Sequence, residues 1–348
     1  MGDTATRSAG ERLLDVRNLT ISFHTFAGEV SAVRGVDFDL KRGEVIAIVG
    51  ESGSGKSVST QAILGLTPVP PGEIKSGEIL FQGEDLLSYD ERRLSEVSGS
   101  RISMIFQDPM TSLNPTMKVG GQIREVLHQH SRMSREESRT RALELMNLVG
   151  IPEPSVRLGQ YPHEYSGGMR QRAMIAMAMA NRPEILIADE PTTALDVTIQ
   201  SQIFRLLRGL QKDFHTAIIL ITHDLGVVAG MADRIVVMYA GKVMEEGRTD
   251  QIYYRPSHPY TAGLLQAVPS LADDARQKLR TIEGTPPFLL NVPPGCPFAE
   301  RCEYAMRVCR EKEPPYFRPD PSNRVACWLY HEGAAEQRQT FEKRERAR

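Results

Sequence analysis

Short runs of apolar and β-branched residues recur along the chain and alternate with longer stretches of helical pattern. These runs occupy residues 45–49, 102–106, 185–188, 217–222 and 234–238. A continuous apolar run of this length predicts a strand that is buried on both faces. Because the strands alternate with helical segments, the pattern predicts an α/β fold with a mostly parallel sheet and helices on both faces.

Three further segments have patterns of their own. Residues 79–83 predict a smaller antiparallel portion, and residues from about 110 to 180 are predominantly helical and amphipathic. After residue 265 the chain becomes proline-rich, which indicates a separate C-terminal extension over residues 266–335. The mixed charges of residues 336–348 predict a frayed or disordered tail.

Length and charge restrict the class of protein. The 348 residues allow one large domain and a smaller second one, and the net charge of −2 argues against a nucleic-acid partner. No apolar run reaches the length of a membrane helix, and the N-terminus lacks a signal-peptide pattern. We therefore expect a cytoplasmic protein that contacts a membrane only through its partners.

The most informative motif follows the first of the five apolar runs. Residues 50–57 have the pattern G-x-x-x-x-G-K-S, with a predicted strand before it and a predicted helix after it. Glycines allow backbone N–H groups to surround phosphate oxygens, the lysine reaches the β- and γ-phosphates, and the serine hydroxyl can hold Mg²⁺. The predicted nucleotide-binding residues are Gly50, Ser52, Gly53, Ser54, Gly55, Lys56 and Ser57.

A second apolar run ends in two adjacent carboxylates, Asp189 and Glu190. In an open parallel sheet, ligands collect at the carboxyl ends of the strands. Asp189 is therefore predicted to organise Mg²⁺, and Glu190 to polarise the attacking water.

Four more motifs give the chain a family resemblance. Ser166-Gly167-Gly168 precedes a helix, Gln107 follows the strand at 102–106, residues 191–196 contain Ala-Leu-Asp, and His223 follows the strand at 217–222. In this order, residues 11–265 resemble the nucleotide-binding domain of an ABC transporter, with the helical subdomain at about 110–180. The resemblance implies a P-loop ABC ATPase cassette with a helical subdomain.

The resemblance also implies how ATP is used. A head-to-tail dimer would place each ATP between one phosphate loop and the Ser166, Gly167 and Gly168 loop of the other subunit. His223 would contact the γ-phosphate, and Gln107 would join Ser57 and Asp189 at Mg²⁺. An aromatic side chain would stack on adenine, and Phe23 is favoured over Phe26 for this role.

All four cysteines, Cys296, Cys302, Cys309 and Cys327, lie within the extension. Thiolates suit zinc or an iron–sulfur cluster, but the spacing matches neither paired zinc knuckles nor ferredoxins. Together with His-Pro-Tyr-Thr at residues 258–261, the segment Gly-Cys-Pro-Phe-Ala-Glu-Arg-Cys at 295–302 resembles the extension of oligopeptide/dipeptide importer ATPases. That resemblance implies a [4Fe–4S] cluster, while zinc and free thiols stay open.

The resemblance predicts an ATP-hydrolysing subunit of a peptide importer, bound at the cytoplasmic face of the inner or plasma membrane. Its partners would be a paralogous ATPase subunit, or a second copy, two transmembrane permease subunits and, indirectly, an extracytoplasmic solute-binding protein. Nickel chelates, opines and glycans remain alternative substrates. A non-transport ABC ATPase and a regulatory module that does not hydrolyse ATP are the alternatives from other classes.

Overall fold

The computed structural model describes residues 11–193, 195–267 and 281–346. The chain forms two compact units. Unit 1 comprises the described residues of Met1–Leu13, Leu40–Val45 and Leu86–Ile221, and unit 2 comprises those of Leu14–Asp39, Ile46–Asp85 and Thr222–Arg348.

Strands and helices follow one another along the chain in an α/β order. The strands are β1 (Arg12–Thr25), β2 (Gly28–Lys41), β3 (Val45–Val49), β4 (Gly72–Phe81), β5 (Glu84–Asp85), β6 (Ile102–Ile105), β7 (Ile185–Asp189), β8 (Ala217–Thr222), β9 (Arg234–Tyr239), β10 (Lys242–Arg248), β11 (Phe317–Asp320) and β12 (Asn323–Val325). The helices are α1 (Lys56–Gln61), α2 (Glu91–Val97), α3 (Pro109–Ser112), α4 (Val119–His130), α5 (Arg135–Leu148), α6 (Pro154–Arg157), α7 (Gly167–Ala178), α8 (Val197–Phe214), α9 (Leu225–Val228), α10 (Thr249–Tyr254), α11 (Pro259–Gln266), α12 (Arg307–Glu311) and α13 (Ala335–Arg346). Short 3₁₀ turns lie at Ala62–Leu64, Leu86–Ser88, Pro162–Glu164, Ala299–Arg301, Trp328–Tyr330 and Glu332–Ala334.

Unit 2 contains two sheet segments. One has the strand order β2-β1-β4-β5, in which β1 and β4 are antiparallel. The other has the order β11-β12-β10-β9-β3, in which β3 runs parallel to β9 and the remaining pairs are antiparallel. All five residues of β3 are buried, so this strand leads into the phosphate loop from the core.

Unit 1 contains the parallel strands β6, β7 and β8, with β7 in the middle. Every residue of β7 and β8 is buried, as the apolar runs predict. Helices α4, α5 and α7 pack together, and their buried faces include Ile123, Leu145 and Ile175. A capping box between Ser134 and Glu137 starts α5, since each side chain accepts a hydrogen bond from the other residue's backbone N–H.

The structure confirms the five predicted strands to within one residue at either end. It also confirms the antiparallel strand through residues 79–81 and the helices between about 110 and 180. Among the described residues, no helix combines the length and the apolar character that crossing a membrane requires.

The expected disordered tail is wrong for the described residues 336–346. They belong to α13, and Phe341 is fully buried in a cluster with Ala262, Val325 and Leu329. A single aromatic side chain therefore anchors a helix whose other residues are mostly polar. The last two residues of the predicted tail, 347–348, lie outside the described residues.

Candidate functional site

The phosphate loop of unit 2 connects β3 to α1 through a turn that requires glycine at two positions. Gly50 and Gly55 have φ angles of 152° and 95°. A Cβ atom on Gly50 would lie 2.1 Å from the carbonyl oxygen of Met238, and one on Gly55 would lie 2.5 Å from that of Ala32. Gly53 has a φ of 76°, but no atom lies within 4 Å of where its Cβ would stand. The backbone of the loop therefore packs closely against Met238 at Gly50 and against Ala32 at Gly55.

Lys56 is folded back into this loop. Its Nζ donates hydrogen bonds to the carbonyl oxygens of Gly50 at 2.8 Å and Glu51 at 2.9 Å, and the residue is 6% exposed. The loop therefore combines a fixed ammonium group with glycine N–H groups and the start of a helix. This arrangement suits the oxygens of a phosphate anion.

Glu51, the second residue of the loop, contacts two residues far along the chain. Its N–H donates to Tyr260 Oη at 2.9 Å, and its Oε2 accepts from Arg301 Nη1 at 2.8 Å. The sequence did not predict these contacts, because nothing local marks a pair that is 250 positions apart.

In unit 1, the structure brings Gln107 and Glu190 together. Gln107 Nε2 donates to Glu190 Oε2 at 3.1 Å, and the Thr193 hydroxyl donates to the same oxygen at 2.9 Å. Asp189 is the last residue of β7 and is 4% exposed. Glu190 follows it with a φ of 44°, a strained backbone conformation of the kind that collects at functional sites. Thr193 was missed, although it lies only three residues after Glu190.

Ser166 caps the N-terminus of α7, where its hydroxyl accepts a hydrogen bond from the N–H of Met169 at 3.3 Å. Ser166 and Gly167 are exposed, and Gly168 lies next to Ile199. The predicted signature residues therefore form the exposed N-terminus of a 12-residue helix. This geometry can receive an anion from outside the chain.

The remaining predicted nucleotide contacts differ in exposure. His223 is exposed and follows β8, and Phe26 is fully exposed in the turn after β1. Phe23 is partly buried and faces Gly72 across the β1–β4 pair. The choice of Phe23 for adenine stays a prediction. Within residues 191–196, Ala194 lies outside the described residues, and Asp196 caps α8 by accepting from the N–H of Ile199.

The four cysteines line one small cavity in unit 2. All are free thiols, and the N–H of Cys296 donates to the carbonyl oxygen of Cys309 at 2.7 Å. Burial raises the pKa of Cys296 to about 11 and that of Cys302 to about 12, and the neighbouring thiols add to both shifts. Burial also raises the pKa of Cys327, with the other three thiols contributing. The shared cavity explains why residues distant in sequence influence one another.

His258 lines the same cavity and is 1% exposed. Its Nδ1 accepts from the N–H of Tyr260 at 2.9 Å, which leaves the proton of the neutral ring on Nε2. Burial lowers the pKa of His258 to about 3, so the ring is neutral. Within the described residues, Nε2 has no hydrogen-bond partner.

The donor set of this cavity fits a thiolate-bound metal group in residue type. No three His, Cys, Asp or Glu side chains in the described ranges are arranged so that they could hold a metal ion. The expected cluster is therefore not supported by ligand geometry. The iron–sulfur cluster therefore stays a prediction.

Comparison with known proteins agrees with the family resemblance of the sequence. Residues 33–193 match the family described as ABC transporter, and residues 244–309 match the C-terminal region of oligopeptide/dipeptide transporters. The oligopeptide transport ATP-binding protein OppD of Bacillus subtilis is 58% identical over 323 residues, which cover 93% of this chain and 90% of the relative. The dipeptide transport ATP-binding protein DppD of Lactococcus lactis is 53% identical over 322 residues, which cover 92% of each chain.

Among solved structures, the chain is similar to the dimeric ATP-binding cassette MJ0796 in a post-hydrolysis state bound to ADP and Pi. The TM-score is 0.62 at 30% sequence identity, and the match covers 68% of this chain and 98% of the cassette. The fold is therefore that of an ATP-binding cassette, as the sequence predicted.

Proposed function

Because this chain belongs to the ABC transporter ATP-binding proteins of the oligopeptide/dipeptide branch, we propose that it hydrolyses ATP to power peptide import across a membrane. Its family implies ATP and Mg²⁺ as the nucleotide and the metal. Peptides are proposed as the cargo since the similar proteins are named for oligopeptide and dipeptide transport. The residues predicted to hold Mg²⁺ stay predictions.

One observation supports the proposal that the chain hydrolyses ATP and does not only bind it. The Glu190 carboxylate is held at the end of β7 by Gln107 and Thr193, directly after the buried Asp189. A carboxylate in a fixed position can orient an attacking water and accept its proton. We therefore assign Glu190 as the residue that polarises the water, and Gln107 as the residue that reports on the nucleotide.

The test is the Glu190→Gln variant. It keeps the size of the side chain and the acceptor for Gln107 but removes the base. We expect ATP binding to persist and turnover to fall by a factor on the order of 10²–10⁴. Glu125→Gln on the exposed face of α4 is the matched control and should hydrolyse ATP normally. Near-normal turnover by Glu190→Gln would refute the assignment of Glu190 as the residue that polarises the water.

We also propose that the ATPase works as a head-to-tail dimer, with a paralogous subunit as the favoured partner and a second copy as the alternative. The exposure of Ser166 and Gly167 supports this, since a second chain can reach them. Two permease subunits and a solute-binding protein would complete the transporter at the cytoplasmic face of the membrane. We propose residues 11–265 as the nucleotide-binding domain and 266–335 as the extension.

Mixing Lys56→Ala chains with Ser166→Arg chains tests the dimer. A mixed dimer concentrates both defects in one composite site and leaves the other intact, so part of the ATPase activity should return. Activity that is independent of protein concentration and of mixing would contradict head-to-tail pairing. Copurification with the membrane subunits, followed by identification of the bound solute-binding protein, tests the peptide cargo.

For the extension we propose a [4Fe–4S] cluster held by Cys296, Cys302, Cys309 and Cys327. The common cavity and the free state of the thiols support it. When bound, such a cluster would tie together segments that are separated in sequence. Anaerobic purification with iron and sulfide analysis should give about four iron atoms per chain. One zinc atom without iron, or no metal, would replace this proposal.

A further inference from the structure

The cysteine-containing extension contacts the phosphate loop itself. Arg301, which directly precedes Cys302, pairs with the carboxylate of Glu51, and Tyr260 accepts the hydrogen bond of the Glu51 N–H. We propose that Arg301 and Tyr260 are positioning residues of the ATP site, which fix Glu51 and neutralise its charge so that the loop binds triphosphate tightly. This inference rests on the proposed role of residues 50–57 in binding ATP.

Arg301 is held as a rigid fork. Its side chain is only 6% exposed, and that of Glu51 is 25% exposed. Besides Glu51, the guanidinium donates to Tyr239 Oη at 3.1 Å and to the carbonyl oxygens of Glu283 at 2.9 Å and Ile282 at 3.2 Å. An arginine with this many fixed donors cannot swing away from Glu51 at little cost, so the pair differs from a mobile surface ion pair.

The charge of Glu51 makes this pair matter for ATP. A carboxylate inside a loop that binds a polyanion repels its ligand, and the repulsion is strong in a partly buried site. The backbone of Glu51 is also held at both ends, since its N–H donates to Tyr260 and its carbonyl oxygen accepts from Lys56. Losing Arg301 would therefore leave an unpaired negative charge in the loop, while Tyr260 and Lys56 still hold the backbone of Glu51.

The two residues that hold Glu51, Tyr260 and Arg301, lie beside residues that line the four-cysteine cavity. Tyr260 donates its N–H to His258, which lines that cavity. Phe298, another lining residue, packs against Tyr260 and Tyr239 with ring centroids 5.2 Å and 5.4 Å apart, and the Arg301 guanidinium lies 6.0 Å from the centre of its ring. The order of the cavity therefore sets the position of both residues that hold Glu51.

The test measures the dissociation constant of Mg-ATP for Arg301→Gln, Glu51→Gln and the double variant of the full chain. We expect Arg301→Gln to weaken binding by a factor on the order of 10–100, because it leaves a carboxylate unpaired in the loop. Glu51→Gln should bind as well as the parent or better. The double variant should return to within about threefold of the parent, because the repelling charge is gone.

Rescue of affinity separates positioning from a merely structural role, which the second substitution would not repair. Arg307→Gln is the matched control, because Arg307 belongs to the same extension and its side chain is 92% exposed. The loss in Arg301→Gln should also shrink at high salt, which screens the unpaired Glu51 charge.

Affinity of Arg301→Gln equal to that of the parent overturns the inference, and so does a double variant as weak as the single one. If Arg301→Gln does not fold, Tyr260→Phe decides, since it removes only the acceptor of the Glu51 N–H. That variant should bind Mg-ATP several-fold more weakly, and unchanged affinity overturns the inference. Failure of the proposed function would look different, because Lys56→Ala would then bind ATP normally.

Discussion

Replacing Phe341 by alanine should detach the C-terminal helix α13. Phe341 is fully buried between Ala262, Val325 and Leu329, and its ring meets that of Tyr304 edge-on with the centroids 5.2 Å apart. It is the buried residue of an otherwise polar helix. The docking of α13 therefore depends mainly on the burial of Phe341.

The magnitude follows from this burial. Removing a buried Phe side chain costs about 3–5 kcal/mol, and the lost edge-on aromatic contact belongs to the upper part of that range. Within α13, Arg338 and Arg346 pair with Glu342 at N–O distances of 3.8 Å and 3.9 Å. Arg344 of α13 also pairs with Glu303 and donates to Tyr304 Oη at 3.3 Å. Exposed pairs of this kind contribute about 0.2–1 kcal/mol each. Since an isolated 12-residue helix is marginal in water, they cannot hold α13 in place alone.

Hydrogen exchange of the α13 amides measures this effect directly, because undocking appears as local opening. The exchange rate in Phe341→Ala should rise by a factor on the order of 10² or more, and trypsin should cleave at Arg344 sooner. Gln339→Ala, at an exposed position of the same helix, should leave exchange unchanged. Equal protection in Phe341→Ala and Gln339→Ala would refute the anchoring role of Phe341.

Two further predictions concern a carboxylate and a pair of glycines. Burial alone would raise the pKa of Glu184, but hydrogen bonds and charges from Arg101 and Arg42 outweigh it and lower the pKa below its ordinary value of 4.5. The ionised Glu184 therefore stabilises the folded state above pH 4.5, and this stabilisation is lost as the pH falls through the lowered pKa. Glu184→Gln should lower the free energy of unfolding by about 1.5–3 kcal/mol at pH 7, measured by urea unfolding, and by less in acid. Gly50→Ala should abolish nucleotide binding through its clash with the backbone, whereas Gly53→Ala should cost only about 1 kcal/mol of backbone strain; equal losses in ATP affinity would contradict this.

The parallel strands could be predicted because each is buried on both faces. In β3, β7 and β8, burial of every residue leaves a continuous apolar run, which the sequence displays directly. The phosphate loop could be predicted for a related reason. Its geometry depends on glycines and a lysine that lie within eight residues of one another.

The long strands β1 and β2 could not be predicted in the same way. In β1 the register shifts between Arg17 and Ile21, and Asn18 has a φ of 44°. The bulge changes which positions face the core, so the alternation of period two is lost halfway along the strand. The helix α13 was missed for a different reason, since one buried Phe in twelve residues gives no periodic signal.

The extension after residue 265 was predicted as a separate segment, but its contacts with the rest of unit 2 are extensive. Strand β12 pairs with β10 and so continues the sheet that contains β3. Glu313 accepts hydrogen bonds from both Arg34 and Lys242, and Arg324 pairs with Glu246 at 2.8 Å.

These partners lie far apart in sequence, so neither composition nor spacing could indicate them. Removing the extension would expose the edge of β10 and leave Arg34 and Lys242 without Glu313. It would also release Glu51 from Arg301. The extension is therefore part of the structure that supports the phosphate loop, and its cysteines lie in that structure rather than in an appended module.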